Sequence, residues 1–245
     1  MDKQKSGKCL NKLTLQIFAM AAMLLDHIWG SGLASPEWLT CVGRLAFPIF
    51  AFFIAEGYAH THDWKKYLKR MALFALATEL PFDLALNGSL FYPFHQNVLF
   101  TFCLSLLCLR WLDVLQQKHQ GTVRWALDIL LVSLVGFLAG TVTFVDYYGS
   151  GVLMVIMFYL SREFRWGWLV TLAGMWYINW QVLGGLVYPI GGIEIPRQGL
   201  AILSLPLLWL YNGKQGPHNK AIQYGCYVFY PGHLLLIAIV SQFAR

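Results

Sequence analysis

Apolar residues fall in long blocks, at about 13–33, 40–60, 67–84, 97–113, 125–145, 149–161, 166–184, 198–211 and 221–242. Short polar or Gly/Pro-rich breaks such as SGLASPEW, HTHDWKK, NGSLFYPFHQ and GGLVYPIGGIEIP separate them. The first block, LTLQIFAMAAMLLDHIWGSGL, is long enough to cross a bilayer at about 20 residues per span. The pattern predicts an all-α fold: a polytopic transmembrane helix bundle of about nine helices, with the sixth and eighth short. Residues 1–245 are read as a single integral-membrane domain.

Charge in the breaks alternates. Lys3, Lys5, Lys8 and Lys12 precede the first block, and Lys65, Lys66, Lys69 and Arg70 follow the second. Arg110, Lys118 and Arg124 surround the fourth break, Arg162 and Arg165 the sixth, and Lys214 and Lys220 the eighth. The breaks in between carry almost no cations. Because cytoplasmic loops collect Lys and Arg, the amino terminus is expected in the cytoplasm and the carboxyl terminus outside. Arg44 and Arg197 depart from this rule at outer helix ends, and Arg245 at the chain end.

Composition agrees with a bilayer protein: 58% of residues are hydrophobic, 16% aromatic and only 12% charged, against about 25% charged in soluble domains. The +6 net charge is scattered among the breaks, so no nucleic-acid surface is expected. The five cysteines form no CxxC pair, and all but Cys9 lie in or beside apolar runs, where Cys serves as a small hydrophobe. Neither a disulfide framework nor a metal site follows. The first block exceeds the 7–15 residues of a cleavable signal core and is read as retained. No tandem repeat is visible. Nine helices do not divide into two halves, which removes the inverted-repeat signature of many transporters.

Asp26 and His27 stand inside the first block. A carboxylate at such a depth costs about 2.5–3.5 kcal/mol on insertion scales, an expense that points to a functional group or to a pair locking two helices. With the topology above, the outer half also holds Arg44, Glu79, Asp83, His95, Asn97, Asp146, Tyr147, Arg197 and Gln198. Asp26 shares a helical stripe with Ala19, Ala22 and Gly30, and Arg44 with Ala51 and Ala55, the small-residue faces on which membrane helices meet. Adjacent helical residues diverge by about 100°, so Asp26 and His27 do not form a dyad. Asp26 is expected to pair with Arg44 or Arg197, and His27 to serve as a base. Glu79 and Asp83, four residues apart, are read on one helix face, binding a cationic acceptor or pairing with Arg44 or Arg197. His60, His62, His119 and His218 fall in inner loops and are read as solvated.

A neutral His can take a proton from an amine or hydroxyl while Arg or Asn steadies an oxyanion, which is acyl-transfer chemistry. The same groups equally suit a proton relay. No HExxH, GxSxG, P-loop or GxGxxG motif occurs.

The segments MLLDHIW, GRLAFPIFAFFIAEGYAHT, YLKRMALFALATELPFDLAL, NVLFTFCLSLL, DYYGSGVLMV, LPLLWLYNGKQG and YGCYVFYPGHLLL resemble the TraX family of polytopic membrane proteins over nearly the whole chain. The resemblance implies an acetyltransferase-like activity, named for amino-terminal acetylation of a conjugative pilin, with acetyl-CoA as co-substrate. Its polar positions map onto Asp26, His27, Arg44, Glu56, Arg70, Glu79, Asp83, Asn97, Asp146, Tyr147, Gln198, Tyr230 and His233. His27, Asp26, Arg44, Asn97 and His233 are the catalytic candidates. Glu79, Asp83, Asp146, Tyr147, Arg197 and Gln198 are the acceptor-binding ones. Arg70, Lys69, Lys65 and Glu56 are those toward coenzyme A, although the lysines serve equally well as a positive-inside anchor. The expected acceptor is a small amine, a hydroxyl or a protein amino terminus, and the expected location is the cell membrane. The alternative is a proton-coupled transporter of an amine or other small cation.

Overall fold

The computed structural model describes residues 8–119, 121–162, 164–190 and 192–243; Lys3, Lys5 and Arg245 of the charge count lie outside them. The chain is nearly all helical, with α1 Lys12–Gly30, α2 Glu37–Gly43, α3 Ala46–His60, α4 Trp64–Phe82, α5 Val98–Lys118 and α6 Thr122–Val142. There follow α7 Tyr148–Ser161, α8 Gly167–Trp176, α9 Ser204–Trp209 and α10 Lys220–Phe243. Among the described residues, five spans are long and apolar enough to cross a membrane: α1, α2 with α3, α5, α6 and α10. The all-α membrane bundle expected from the pattern is the observed class.

Several expected helices differ in detail, each for a local reason. The second block breaks at Arg44 because Pro48 lacks an N–H, and its ring crowds the carbonyl four residues back. Helix α4, which begins three residues before the third block, carries Lys65, Lys66, Lys69, Arg70 and Glu79, which keeps it out of the long apolar set. It ends just after Pro81 in a π-helical turn, Asp83–Asn87, closed by left-handed Gly88. The seventh block also ends in a π-helical turn, Tyr177–Val182. The break that follows it is no plain loop but a hairpin of β1 Val187–Ile190 and β2 Ile193–Pro196, antiparallel, with Tyr188 opposite Ile195. The eighth block, expected to be a short helix, is a 3-10 helix, Arg197–Leu203, running into the short α9 Ser204–Trp209. Pro231 and Gly232 lie inside α10, which runs on through them.

Two compact units divide the chain. The first comprises the residues up to Phe50, Pro81–Ser89 and everything from Thr171 onward. In it α1 packs against α2 and α10, and α10 also packs on the π-helical turn Asp83–Asn87. Phe82, Ala85, Leu234, Ile237 and Ala238 form one buried cluster with Leu24 and Ile28 against it. Ala22, Met23 and Ala46 form another, flanked by Phe229 and Tyr230. Asn11 caps α1 by accepting from the Thr14 N–H at 3.0 Å.

The second unit comprises Ala51–Leu80 and Leu90–Val170, with α5, α6 and α7 mutually packed. Gly140 lies so close to Gly149 that a Cβ there would sit 2.9 Å from the Gly149 Cα, the small-residue contact by which membrane helices approach. The other face of α6 leaves Leu127, Leu130, Leu134 and Leu138 exposed, as a lipid-facing surface requires.

Candidate functional site

In the first unit, helix α1 presents His27 and Asp26 to different partners, as the 100° divergence demands. His27 meets α10, where its Nδ1 lies 2.7 Å from Nε2 of His233. The ring planes are parallel within 2° and the centroids 5.0 Å apart. That separation is what two ring radii and one in-line bond span, so the rings lie edge to edge. His233 is buried, and its Nδ1 is 2.7 Å from the carbonyl oxygen of Phe229.

This last contact orders the protons. A carbonyl oxygen only accepts, so Nδ1 of His233 carries hydrogen and donates. In the neutral ring Nε2 then holds the lone pair and accepts from Nδ1–H of His27. Neutral His27 is thereby fixed with its own lone pair on Nε2. Tyr230, one turn before His233, stands beside both rings with centroids at 6.2 and 5.8 Å.

Asp26 turns the other way, to Arg44 at the α2 end, in a direct ion pair with side chains 17% and 19% exposed. Gly43 makes room for it: a Cβ there would lie 2.6 Å from Asp26 Cγ. Arg44 also donates from Nη1 to Gln198 Oε1 at 3.2 Å and from Nε to the Thr40 carbonyl at 3.3 Å. Gln198 donates in turn to Asn179 Oδ1 at 3.0 Å. Of the two partners foreseen for Asp26, Arg44 is the one found. Arg197 instead stands 3.5 Å from Glu37 and 4.7 Å over the Trp29 ring. The Tyr188 hydroxyl donates to Glu37 at 2.7 Å. Burial first, and then that bond, raise the Tyr188 pKa above its ordinary value, keeping the phenol a donor. Asp83, almost wholly buried, accepts from Asn87 Nδ2 at 2.9 Å.

In the second unit, Glu79 accepts from the backbone N–H of Asn97 at 3.1 Å. The wholly buried Asn97 side chain caps α5 through the Leu99 N–H at 3.0 Å, bonds the Ala75 carbonyl at 2.9 Å and also reaches Glu79. Asp146 accepts from the Tyr147 N–H at 3.0 Å and stands 3.6 Å from His95. Tyr147 itself takes a left-handed backbone, φ 60°, just before α7. Lys65, Lys69 and Arg70 are exposed along α4, and Glu56 is half-buried on α3. His119 is not merely solvated: its Nδ1 lies 2.9 Å from Asp128. Sequence reasoning also passed over Asp113, which accepts from the hydroxyls of Tyr58 at 2.6 Å and Tyr159 at 2.8 Å. Among the described residues no His/Cys/Asp/Glu group is arranged to hold a metal.

The family described as TraX protein matches residues 11–241. The probable fimbrial assembly protein FimC, serogroup H1, of Dichelobacter nodosus is 29% identical over 245 residues, which cover 94% of this chain and 96% of that protein. Protein TraX of Escherichia coli is 29% identical over 147 residues, 59% of this chain and 54% of that protein. No solved structure matches.

Proposed function

We propose, from the premise that this chain belongs to the TraX family, that it is a membrane acetyltransferase. It would move an acetyl group from cytosolic acetyl-CoA to an amine or hydroxyl acceptor. The observation that carries this reading is the ordered pair of His27 and His233, because a neutral imidazole with a fixed lone pair is what a general base requires. A cationic acceptor first gives its extra proton to water, and His27 Nε2 then takes the second proton as the free amine nitrogen attacks the thioester carbonyl. The tetrahedral adduct collapses with loss of the C–S bond, and the sulfur leaves with that proton as free thiol. One amide forms, one thioester breaks, and the base returns to its starting state.

Arg44, held by Asp26, Gln198 and the Thr40 carbonyl, is the cation of fixed direction that steadies charge on the carbonyl oxygen. Asn97 was the other candidate for that task, and its cap and Glu79 contacts favour Arg44. Asp83, Arg197 and Gln198 of the first unit, and Glu79, Asp146 and Tyr147 of the second, are each proposed to bear on acceptor binding. Arg70, Lys69 and Lys65, with Glu56, are proposed to face coenzyme A on the cytoplasmic side of the cell membrane. A pilin-type amino terminus is one acceptor of the right class, and the fimbrial name of the Dichelobacter relative agrees with it.

Purified protein in lipid nanodiscs, given acetyl-CoA and a panel of amines and peptides, tests the reading. Thiol release that requires both an acceptor and His27 is expected. No release with any acceptor, together with amine uptake into proteoliposomes, would replace the enzyme with a transporter.

A further inference from the structure

Asn179 has no part in the chemistry above, yet its surroundings run in one direction only. It lies in the π-helical turn Tyr177–Val182 and is fully buried. Its Nδ2 donates to the Met175 carbonyl oxygen at 2.9 Å. Because a carbonyl only accepts, this bond identifies the nitrogen end of the amide, and Oδ1 must be the atom facing Gln198. Gln198 Nε2 donates to it at 3.0 Å. The second amide is thereby oriented as well, with Oε1 turned to Arg44 and accepting from Nη1 at 3.2 Å. The other terminal nitrogen of Arg44 meets Asp26. Flipping either amide would set two donors or two acceptors face to face.

Such a chain is costly to build. Two primary amides are taken out of water, each unfavourable unless bonded, and the helix gives up α geometry to present one of them. A π-helical turn of this kind often marks a functional position. Membrane helices pack without it, through small residues alone. What the chain adds is a guanidinium that cannot swing: Arg44 is gripped at Nη1, at Nη2 and at Nε.

We propose that Asn179 is a positioning residue, which acts through Gln198 to hold the Arg44 guanidinium in the direction needed to meet the acetyl carbonyl oxygen. The inference rests on the reading of Arg44 as the group that steadies that oxygen. Two measurements on the full-length protein in nanodiscs keep the two readings apart. The first is the rate at which an arginine-selective dicarbonyl modifies Arg44, followed by mass spectrometry, which needs no enzymatic activity. The second is kcat and KM for acetyl-CoA.

Asn179→Ala is expected to raise the Arg44 modification rate several-fold. It should lower kcat by about tenfold or more, as a misplaced group does, with KM within about twofold because the contact is made in the transition state. Asn179→Asp keeps the oxygen that accepts from Gln198, and as a neutral carboxylic acid its O–H donates to the Met175 carbonyl as the amide did; it is expected to recover most of the loss in both measurements, which a general packing defect would not. Should Asn179→Ala fail to fold, Asn179→Leu keeps the volume, removes both amide atoms and reads the same link. An unchanged Arg44 modification rate in whichever variant folds overturns the proposal, as does a raised rate with unchanged kcat. A raised rate in a protein whose wild type never releases thiol upholds the grip on Arg44 and overturns the acetyltransferase reading alone.

Discussion

His27 of α1 and His233 of α10 are 206 positions apart in the chain and 2.7 Å apart through Nδ1 and Nε2. If His233 acts through His27, as proposed, the two are expected to fail as a unit. His27→Ala should lower turnover by about 10²-fold or more, and His233→Ala by less. The double variant should be no slower than His27→Ala, as for residues that act together. Steady-state rates of the three proteins check this, and independent, multiplying losses would show two separate roles.

The ion pair of Asp26 and Arg44 can be divided into its structural and chemical parts. Asp26→Ala leaves a mostly buried guanidinium without its counter-charge and should cost about 2–3 kcal/mol of stability. Replacing both residues by Leu should restore most of that stability, since an apolar pair of similar volume is often no worse, while activity stays absent. Unfolding in detergent and thiol release, measured side by side, decide it. If the Leu pair is active, Asp26 and Arg44 are packing residues.

Gly43 and Gly225 should answer oppositely to the same substitution. A methyl at Gly43 would meet Asp26, whereas nothing lies within 4 Å of one at Gly225. Gly43→Ala is expected to cost about 1–3 kcal/mol through overpacking and to depress activity with it. Gly225→Ala is expected to stabilise α10 by up to about 1 kcal/mol by reducing backbone freedom. Thermal unfolding midpoints of the two variants test the contrast, and a tolerated Gly43→Ala would show that Asp26 has room to move.

The orientation drawn from the alternating cations is open to thiol labelling. Leu90 is 74% exposed, and in a cysteine-free background Leu90→Cys should react with an impermeant reagent in intact cells. Gln117→Cys, near the far end of α5, should react only after permeabilisation. The reverse pattern would invert every inner and outer assignment.

Arg70, exposed on α4, is expected to contribute to acetyl-CoA affinity because phosphates are held by fixed cations. Arg70→Ala should weaken acetyl-CoA binding more than acceptor binding, and titration calorimetry with each ligand measures the difference. Equal affinities in variant and wild type would assign α4 to membrane anchoring.

Much of this is legible in the chain because membrane burial leaves few polar residues to choose among. Asp26, His27 and Arg44 stand out against apolar neighbours, and small-residue stripes indicate which way they turn. That narrows the partner of Asp26 to Arg44 or Arg197, and the structure selects Arg44. The link from His27 to His233 does not, since it depends on α1 and α10 being neighbours, which no local spacing encodes. Asn179 sits in the aromatic run MWYINWQV, where one amide carries no pattern, and only the π-helical turn gives it meaning. The hairpin was visible in principle: IGGIEI has a Gly-Gly step beside alternating positions, yet its apolar content reads as the flank of a helix. Glu37 follows Pro36 at a helix start, where an acid is common, so its bonds to Tyr188 and Arg197 were hidden.

The carbonyl of Phe229, which orders the histidine pair, also closes it. A backbone oxygen takes a hydrogen bond but hands no proton onward, so on the His233 side the route is a cul-de-sac. In the proposed reaction a proton gathered at His27 is therefore expected to leave with the sulfur of the thiol and not through His233. A cycle of acetyl transfer built on this pair is therefore expected to drive no proton through His233, and its rate is expected to stay the same when an uncoupler collapses the proton-motive force.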